Sequence, residues 1–587
     1  MKKLATVALL LAAACRGRGD EVQGVVFGEG PTDHAEAGLA SVPSALGLAG
    51  TWEVTLDPRD RTLRRATGGG HDRFDIASDA DAVRAAMQVY RTSRLAEYAL
   101  EVDGSAGVDD VWTVQLRQLY GGVPVVGAHV GITFNHGRVV LVQGRLFDVD
   151  TSLTIESPLE AAFVEVDRAL AGLEDGAGDT GRLVVVPGHP TFRLAWEVTS
   201  HKRERDVVAY VDAHTNELFH AYDARAYAGE PHGEQVPSGC DSSDPPLARG
   251  GYPGAITNDV DARTVGDDVL SEAGAFQHAR AGDATVTSDA NGVFRFPASV
   301  GRLRDDAGGP IAVNAGMRGP YADVRNKRGP GARYTGTIRA GQPVIVGWND
   351  HNSRADERDT FRGTNVTNRF VATVFPNLAW INRPLVANVN HGYTCNAYWD
   401  GSTINFFRES AQCNNTGRIF DVIAHEWGHG LDQNAPGGVQ DRALGEFIGD
   451  LVSFVQTRDA KLGPGFFVDG GGAVRDLEDP AFACYDPRRT EVHDAGQFLG
   501  AIVWDIYKDL RALGLDGEEL KRLMLLPIAI GQTRSQWYSA MLAVDDDDGN
   551  LANGTPHECL IYDRFEQHSC KGARYPGIPA KRPAHCR

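Results

Sequence analysis

The chain has 587 residues, 42% hydrophobic and 23% charged, with a formal net charge of −20. That length exceeds what one hydrophobic core serves and calls for about three or four domains. The composition excludes a disordered or membrane-dominated chain, and the negative charge argues against nucleic acid or an anionic membrane as the main partner.

At the N-terminus Lys2 and Lys3 precede an apolar run from Leu4 to Ala14, then Cys15 and a polar stretch from Arg16. Residues 1–15 have the form of an export signal, too short and wrongly flanked to span a membrane. Ala12-Ala13-Ala14-Cys15 also resembles a bacterial lipobox, with Ala where the first Leu is usual. Lipid anchoring at Cys15, the one membrane attachment expected, and simple cleavage both stay open. Export makes disulfides plausible among the seven later cysteines. Cys395/Cys413 and Cys559/Cys570 are the local pairs expected, and one cysteine stays odd.

Residues 16–50 are rich in Gly, Ala and Ser and are expected to be disordered. Over 51–155, helical spacing at Ala80–Tyr98 precedes strands at Val111–Tyr120, Val125–Phe134 and Arg138–Leu146, with Gly121-Gly122 and His136-Gly137 as turns. Over 156–225, a helix at Pro158–Leu170 precedes a strand at Phe192–Val198 and a hairpin at Val207–Phe219. Residues 226–265 are rich in Gly, Pro, Ser and Asp and read as a linker. Residues 266–347 carry short strands such as Val293–Pro297 and read as a small β-sandwich.

The chemistry lies in 348–587. In His425-Glu-Trp-Gly-His429, the apolar residues Ile419, Ile423, Trp427 and Leu431 recur every four residues and form one helical stripe. His425 and His429 stand about 200° round from that stripe, one turn apart on one face. Imidazoles at i and i+4 reach a single ion at zinc–nitrogen distances of roughly 2.0–2.1 Å. Glu426 follows the first of them by about 100°, beside the open coordination position, where a carboxylate can take a proton from water. The bland alternative is two surface histidines on an amphipathic helix.

The position of a third ligand separates the zinc-peptidase types. A metzincin would have Gly and His three and six residues after His429, where this chain has Asp432 and Ala435. Instead Ala443-Leu-Gly-Glu-Phe-Ile-Gly-Asp-Leu-Val-Ser-Phe454 supplies Glu446 and Asp450 within an apolar segment. Buried carboxylates need compensation: a cation for Glu446, and the outer nitrogen of His425 for Asp450. Two His and one Glu leave a fourth position for water. The alternative is an ordinary Glu and a solvated Asp.

With these motifs the chain resembles a gluzincin zinc metalloendopeptidase of the thermolysin/fungalysin group, bacterial and fungalysin-like. Leu116–His129 with Val142-Gln-Gly144 resembles the propeptide of fungalysin and thermolysin precursors, and 156–225 is similar to the PepSY module that follows such propeptides. The resemblance implies an α+β multidomain protein. Its parts would be a β-rich pro-region, a small β-sandwich module and a two-lobed catalytic unit with a mainly helical C-terminal lobe. Cys395–Phe407 resembles the family's edge strand, so Asn396 and Ala397 would grip the backbone of an extended peptide. Glu491-Val-His-Asp-Ala-Gly496 resembles its oxyanion-binding stretch, giving that role to His493, with Asp494 or a nearby carboxylate holding the tautomer. Residues 430–445 lack the oxyanion-binding tyrosine that thermolysin carries there.

Near the C-terminus, helices are expected at 517–530 and 533–543. Thr555-Pro-His-Glu558 reads as a capping box before a last helix. Asp545, Asp547 and Asn550 lie in a run that reads either as a calcium loop or as a solvated acidic turn.

The expected protein is therefore a secreted zinc endopeptidase acting on proteins or peptides. It would be made as a zymogen inhibited by its own pro-region, with one catalytic zinc and calcium as an open addition. A binding protein on a degenerate peptidase fold, and a metal-dependent amidase, are the alternatives.

Overall fold

In a computed structural model of the protein, the described residues are 47–57, 62–170, 178–188, 191–202, 206–227, 252–297, 311–338, 343–470, 472–570 and 572–586. The expected export signal with Cys15, most of the stretch expected to be disordered, and Cys240 lie outside them. The chain divides into two compact units. Residues up to Arg225, Asn434–Leu444 and the part from Cys484 form unit one; Ala226–Gln433 and Gly445–Ala483 form unit two.

Unit one begins with strands β1 (Gly50–Leu56) and β2 (Leu63–Gly70), helix α1 (Asp79–Thr92), and strands β3 (Ala99–Val108), β4 (Val111–Tyr120), β5 (Val123–Asn135) and β6 (Arg138–Arg145). Helix α2 (Leu159–Ala169) and strands β7 (Thr180–Val186), β8 (Arg193–His201), β9 (Asp206–Asp212) and β10 (Leu218–Asp223) follow. The ten strands make one sheet, in which β5 joins β7 in parallel at Val125 and Val185. The two N-terminal segments expected as separate modules thus share a sheet. Helix α1 stops at Thr92 rather than Tyr98, because the Ser93 hydroxyl accepts from Leu95 N and caps a 3-10 turn instead of continuing the helix.

Strands β4 to β6 are buried on both sides. Trp112, Val114, Leu116, Val130, Ile132 and Phe134 form a core with Ala82, Ala85, Ala86 and Val89 of α1. The alternate positions Thr113, Gln115, Thr133, Asn135 and Gln143 are polar, yet each is at most 2% exposed.

Unit two opens with β11 (Ala226–Tyr227), β12 (Tyr252–Asp261), β13 (Val269–Ala273), β14 (His278–Ala281), β15 (Ala284–Thr287), β16 (Val293–Phe296), β17 (Ala312–Ala315), β18 (Ala322–Asn326), β19 (Tyr334–Thr337) and β20 (Val344–Trp348). Seven of these form two four-stranded sheets with β20: β13-β12-β16, with β20 on β12, and β15-β14-β17-β19. Strand β12 falls inside the stretch expected to be linker. Its Pro, Gly, Asn and Asp residues mask the buried alternation Ile256, Asn258, Val260.

Helix α3 (Ala355–Ala372), strands β21 (Leu385–Thr394), β22 (Ala397–Trp399) and β23 (Thr403–Arg408), and helices α4 (Phe420–Asn434) and α5 (Arg442–Thr457) come next, then the short pair β24 (Lys461–Leu462) and β25 (Arg475–Asp476). A five-stranded sheet runs β11-β22-β23-β21-β18. One edge of β22 faces β23. On the other, Ala226 pairs with Trp399 and Tyr227 with Tyr398, antiparallel. Cys395 and Cys413 are disulfide-bonded, as expected.

The chain returns to unit one as helices α6 (Val492–Ala512), α7 (Gly517–Leu525), α8 (Pro527–Ile530), α9 (Trp537–Asp545) and α10 (Glu558–Gln567). The expected Cys559/Cys570 pair does not form. Cys484 bonds Cys570 and Cys559 bonds Cys586, because Tyr485 N donates to His568 O and carries the 484 strand of chain to Cys570. The capping box is also absent. The Thr555 hydroxyl goes to Asp545, and α10 starts after His557. Among the described residues no helix is long and apolar enough to cross a membrane.

Candidate metal centre

Helix α4 is buried along nearly its whole length. Ile419 just before it, with Ile423, Trp427 and Leu431, is at most 1% exposed, and Trp427 packs on Trp380 with ring centroids 4.9 Å apart. Its first turn is anchored by Arg263, which forks onto both oxygens of Asp421 at 2.8 and 2.7 Å. Helix α5 lies against it at unusually short range. A Cβ at Gly428 would come within 2.8 Å of Gly449 Cα, and one at Gly449 within 2.6 Å of His425 Nδ1. These two glycines, one in each motif, are what let the carboxylates of α5 reach the imidazoles of α4.

The result is a cluster of His425, His429 and Glu446, all buried, whose ligand atoms lie within 4.8 Å of one another. The Nε2 atoms of the two histidines are 3.0 Å apart. Glu446 oxygens stand 3.5 Å from His425 Nε2 and 3.8 Å from His429 Nε2. A tetrahedral zinc with bonds of roughly 2.0–2.1 Å separates its ligand atoms by about 3.4 Å. The three donors therefore fit a zinc ion in both chemistry and spacing.

Behind the cluster, His425 Nδ1 meets Asp450 Oδ1 at 3.0 Å. Asp450 is in turn bound by Arg475 Nε, at 3.0 Å to Oδ1 and 2.8 Å to Oδ2. Arg475 Nη2 is 3.3 and 3.4 Å from the two ring nitrogens of His425, near-equal distances that place the guanidinium across the ring. Burial pushes the His425 pKa down, but the Asp450 and Glu446 carboxylates outweigh it and raise it to about 9. A metal would have to displace that proton. Arg475 has no local sequence signature. The only hint is that a buried Asp450 requires a cation, and this does not say which.

Glu426 is fully buried, one residue after His425 on α4. Asn396 precedes β22; its side chain accepts from Ala397 N at 2.9 Å and its carbonyl from Thr416 Oγ1 at 3.0 Å. Ala397 is itself paired with Phe406. All these residues belong to unit two. His493 belongs to unit one, in the first turn of α6. Its Nδ1 lies 2.8 Å from Glu491 Oε1, so Glu491 is the carboxylate that holds its tautomer, while Asp494 is taken by Arg489 at 2.9 Å.

The residues expected for calcium are Asp545, Asp547 and Asn550. Asp545 is engaged by Thr555 and by His557, and Asn550 Oδ1 accepts from Ala552 N. The acidic groups that do converge are Asp546, Asp547 and Asp548. Of these, Asp546 accepts from Gly549 N at 2.9 Å and Asn550 N at 3.2 Å, as an acidic turn does.

No family model matches the chain, and no curated protein matches it. Among solved structures, the Bacillus megaterium YpeB C-terminal domain aligns at 13% identity over 29% of this chain and 81% of its own, with a TM-score of 0.18. So slight a likeness carries neither fold nor function.

Proposed function

We propose that the protein is a secreted, zinc-dependent endopeptidase of the gluzincin type, made as a proenzyme. The observation that carries the reading is the convergence of His425, His429 and Glu446, with Asp450 seated behind His425. Zinc held by the three would supply Lewis acidity toward the scissile carbonyl and the attacking water. Glu426 takes the proton of that water and passes it to the leaving amine. Asp450 and Arg475 hold the His425 ring in orientation. Asn396 and Ala397 bind the extended substrate backbone. Residues 348–587 are the catalytic part on this reading, with two lobes.

The pairing of Ala226 and Tyr227 with β22 supports latency. The chain leaving the N-terminal region lies on the same strand edge that an extended substrate would use.

The test is hydrolysis of casein by purified protein with its linker cut, with and without a chelator, followed by zinc re-addition. Activity lost to the chelator and restored by zinc is the expected result. Zinc bound without turnover of casein would favour a binding protein on a degenerate fold. Turnover of non-protein amides alone would favour an amidase.

A further inference from the structure

Strand β22 is only three residues long, and Asn396 and Ala397, the residues proposed to grip a substrate, stand at its start. The sheet does little to fix that end. Strands β21 and β22 flank β23 on opposite sides, the first parallel to it and the second antiparallel, so the chain must cross over the end of β23. It makes the final turn at Cys395, whose φ of 61° is the left-handed conformation that side chains disfavour. Gly or Asn would adopt that turn at little cost. Cys395 has a covalent tie there instead, its disulfide to Cys413.

Cys413 sits on a fixed platform. It is fully buried, its N–H donates to Ser410 Oγ at 3.0 Å, and its carbonyl accepts from Ser410 N at 2.8 Å. It bridges to Phe467. On either side, Asn414 N donates to Phe466 O at 2.6 Å and Val468 N to Gln412 O at 3.0 Å. Asn414 Nδ2 adds a bond to Gly465 O at 2.7 Å. Three residues past Cys413, the Thr416 hydroxyl donates to Asn396 O at 3.0 Å. The chain then passes through a 3-10 turn at Thr416–Arg418 into α4, the helix of His425 and His429. Among the described residues, this disulfide is the only crosslink between the strand edge and the segment that leads to the metal donors.

We propose that Cys395 and Cys413 are positioning residues for peptide binding, and that the edge at Asn396 and Ala397 is set only when their disulfide is closed. Closing it passes two electrons and two protons from the thiols to a disulfide oxidant, which leaves as a dithiol. Oxidising compartments supply such an oxidant, and a reducing cytosol does not. A reduced chain therefore has its metal donors assembled and its edge unset, a latency that does not depend on the N-terminal region. An edge ordered only on contact with a peptide loses affinity rather than turnover, because binding must first fix it. The inference rests on the peptidase reading for its ligand, but the order of the edge can be measured without any proteolysis.

The test compares the full chain with its Cys395→Ser, Cys413→Ala variant by hydrogen exchange and mass spectrometry. Exchange over 393–399 should rise at least about tenfold, while 420–434 keeps the parent's rates. Zinc affinity, by competition against a chelator, should stay within about twofold. With the linker cut, KM for a casein-derived peptide should rise at least about fivefold and kcat change by less than about twofold. If the variant does not fold, the parent opened by a dithiol replaces it, with alkylation showing that Cys395 and Cys413 are the thiols released. Parental exchange over 393–399 without the disulfide would overturn the proposal, and so would an unchanged KM. Faster exchange throughout unit two, or a lowered zinc affinity, would also overturn it by making the disulfide a general brace. A parent that turns over no peptide removes the peptidase reading itself, and exchange over 393–399 still decides whether the disulfide sets the edge.

Discussion

Asp450 Oδ1 lies 3.0 Å from His425 Nδ1, while Arg475 Nε binds both oxygens of the same carboxylate. The carboxylate is clamped from behind, so the imidazole it meets is held with Nε2 toward Glu446 and His429. Replacing Asp450 by Ala removes the clamp but no ligand. Zinc affinity should fall about 10–100-fold, measured by competition against a chromogenic chelator. An unchanged affinity would reduce Asp450 to the counter-ion of Arg475.

Glu426→Gln separates the base from the ligands. Zinc content should be retained while turnover of casein falls by about 10²–10⁴-fold. Both quantities should be read on one preparation with its linker cut. Proteolysis close to the parent's would remove Glu426 from the mechanism.

Burial pushes the pKa of Asp546 up to about 6, with backbone donation from Asn550 opposing it in part. A carboxyl whose folded pKa exceeds its unfolded value contributes stability that is complete below the unfolded pKa, about 4. That stability is lost as pH rises through about 6. The parent should therefore lose urea resistance between pH 4 and pH 7 relative to Asp546→Asn, with a chelator of calcium present throughout. Parallel pH curves for the two proteins would show that Asp546 titrates normally.

Cys484 and Cys570 are 86 residues apart in sequence and close a loop that contains α6 to α10. Replacing both by Ser should destabilise unit one by about 2–5 kcal/mol. Replacing Cys395 and Cys413, which close 18 residues in unit two, should leave that transition in place. Urea titration followed by circular dichroism distinguishes them, and a double serine variant at 484 and 570 as stable as the parent would contradict the assignment.

The helix bearing His425 and His429 was legible because ligand spacing and apolar stripe share one period, and Glu446 because a carboxylate in an apolar segment demands a partner. Strand β4 runs from Val111 to Tyr120 as its residue types predict. What escaped the sequence was set by distant chain. Arg475 reaches Asp450 across 25 positions from a stretch without pattern. Thr555 reads as a cap until Asp545 takes its hydroxyl. Cys570 has Cys559 nearby in sequence, but its nearest neighbour in space is Cys484. Thr113, Gln115 and Gln143 alternate with apolar residues, and nothing local in the sequence says that helices from the far end of the chain cover them.

Gln143 and Ser539 touch across 396 positions of sequence. At synthesis rates of about 5–20 residues per second, the strand that holds Gln143 leaves the ribosome about 20–80 s before its partner does. Through that interval Gln115 and Gln143 have no helix carbonyl or hydroxyl to bond, and water takes that place. Completion of unit one has to wait for the last hundred residues, so a truncated product would present a finished sheet with nothing to close on.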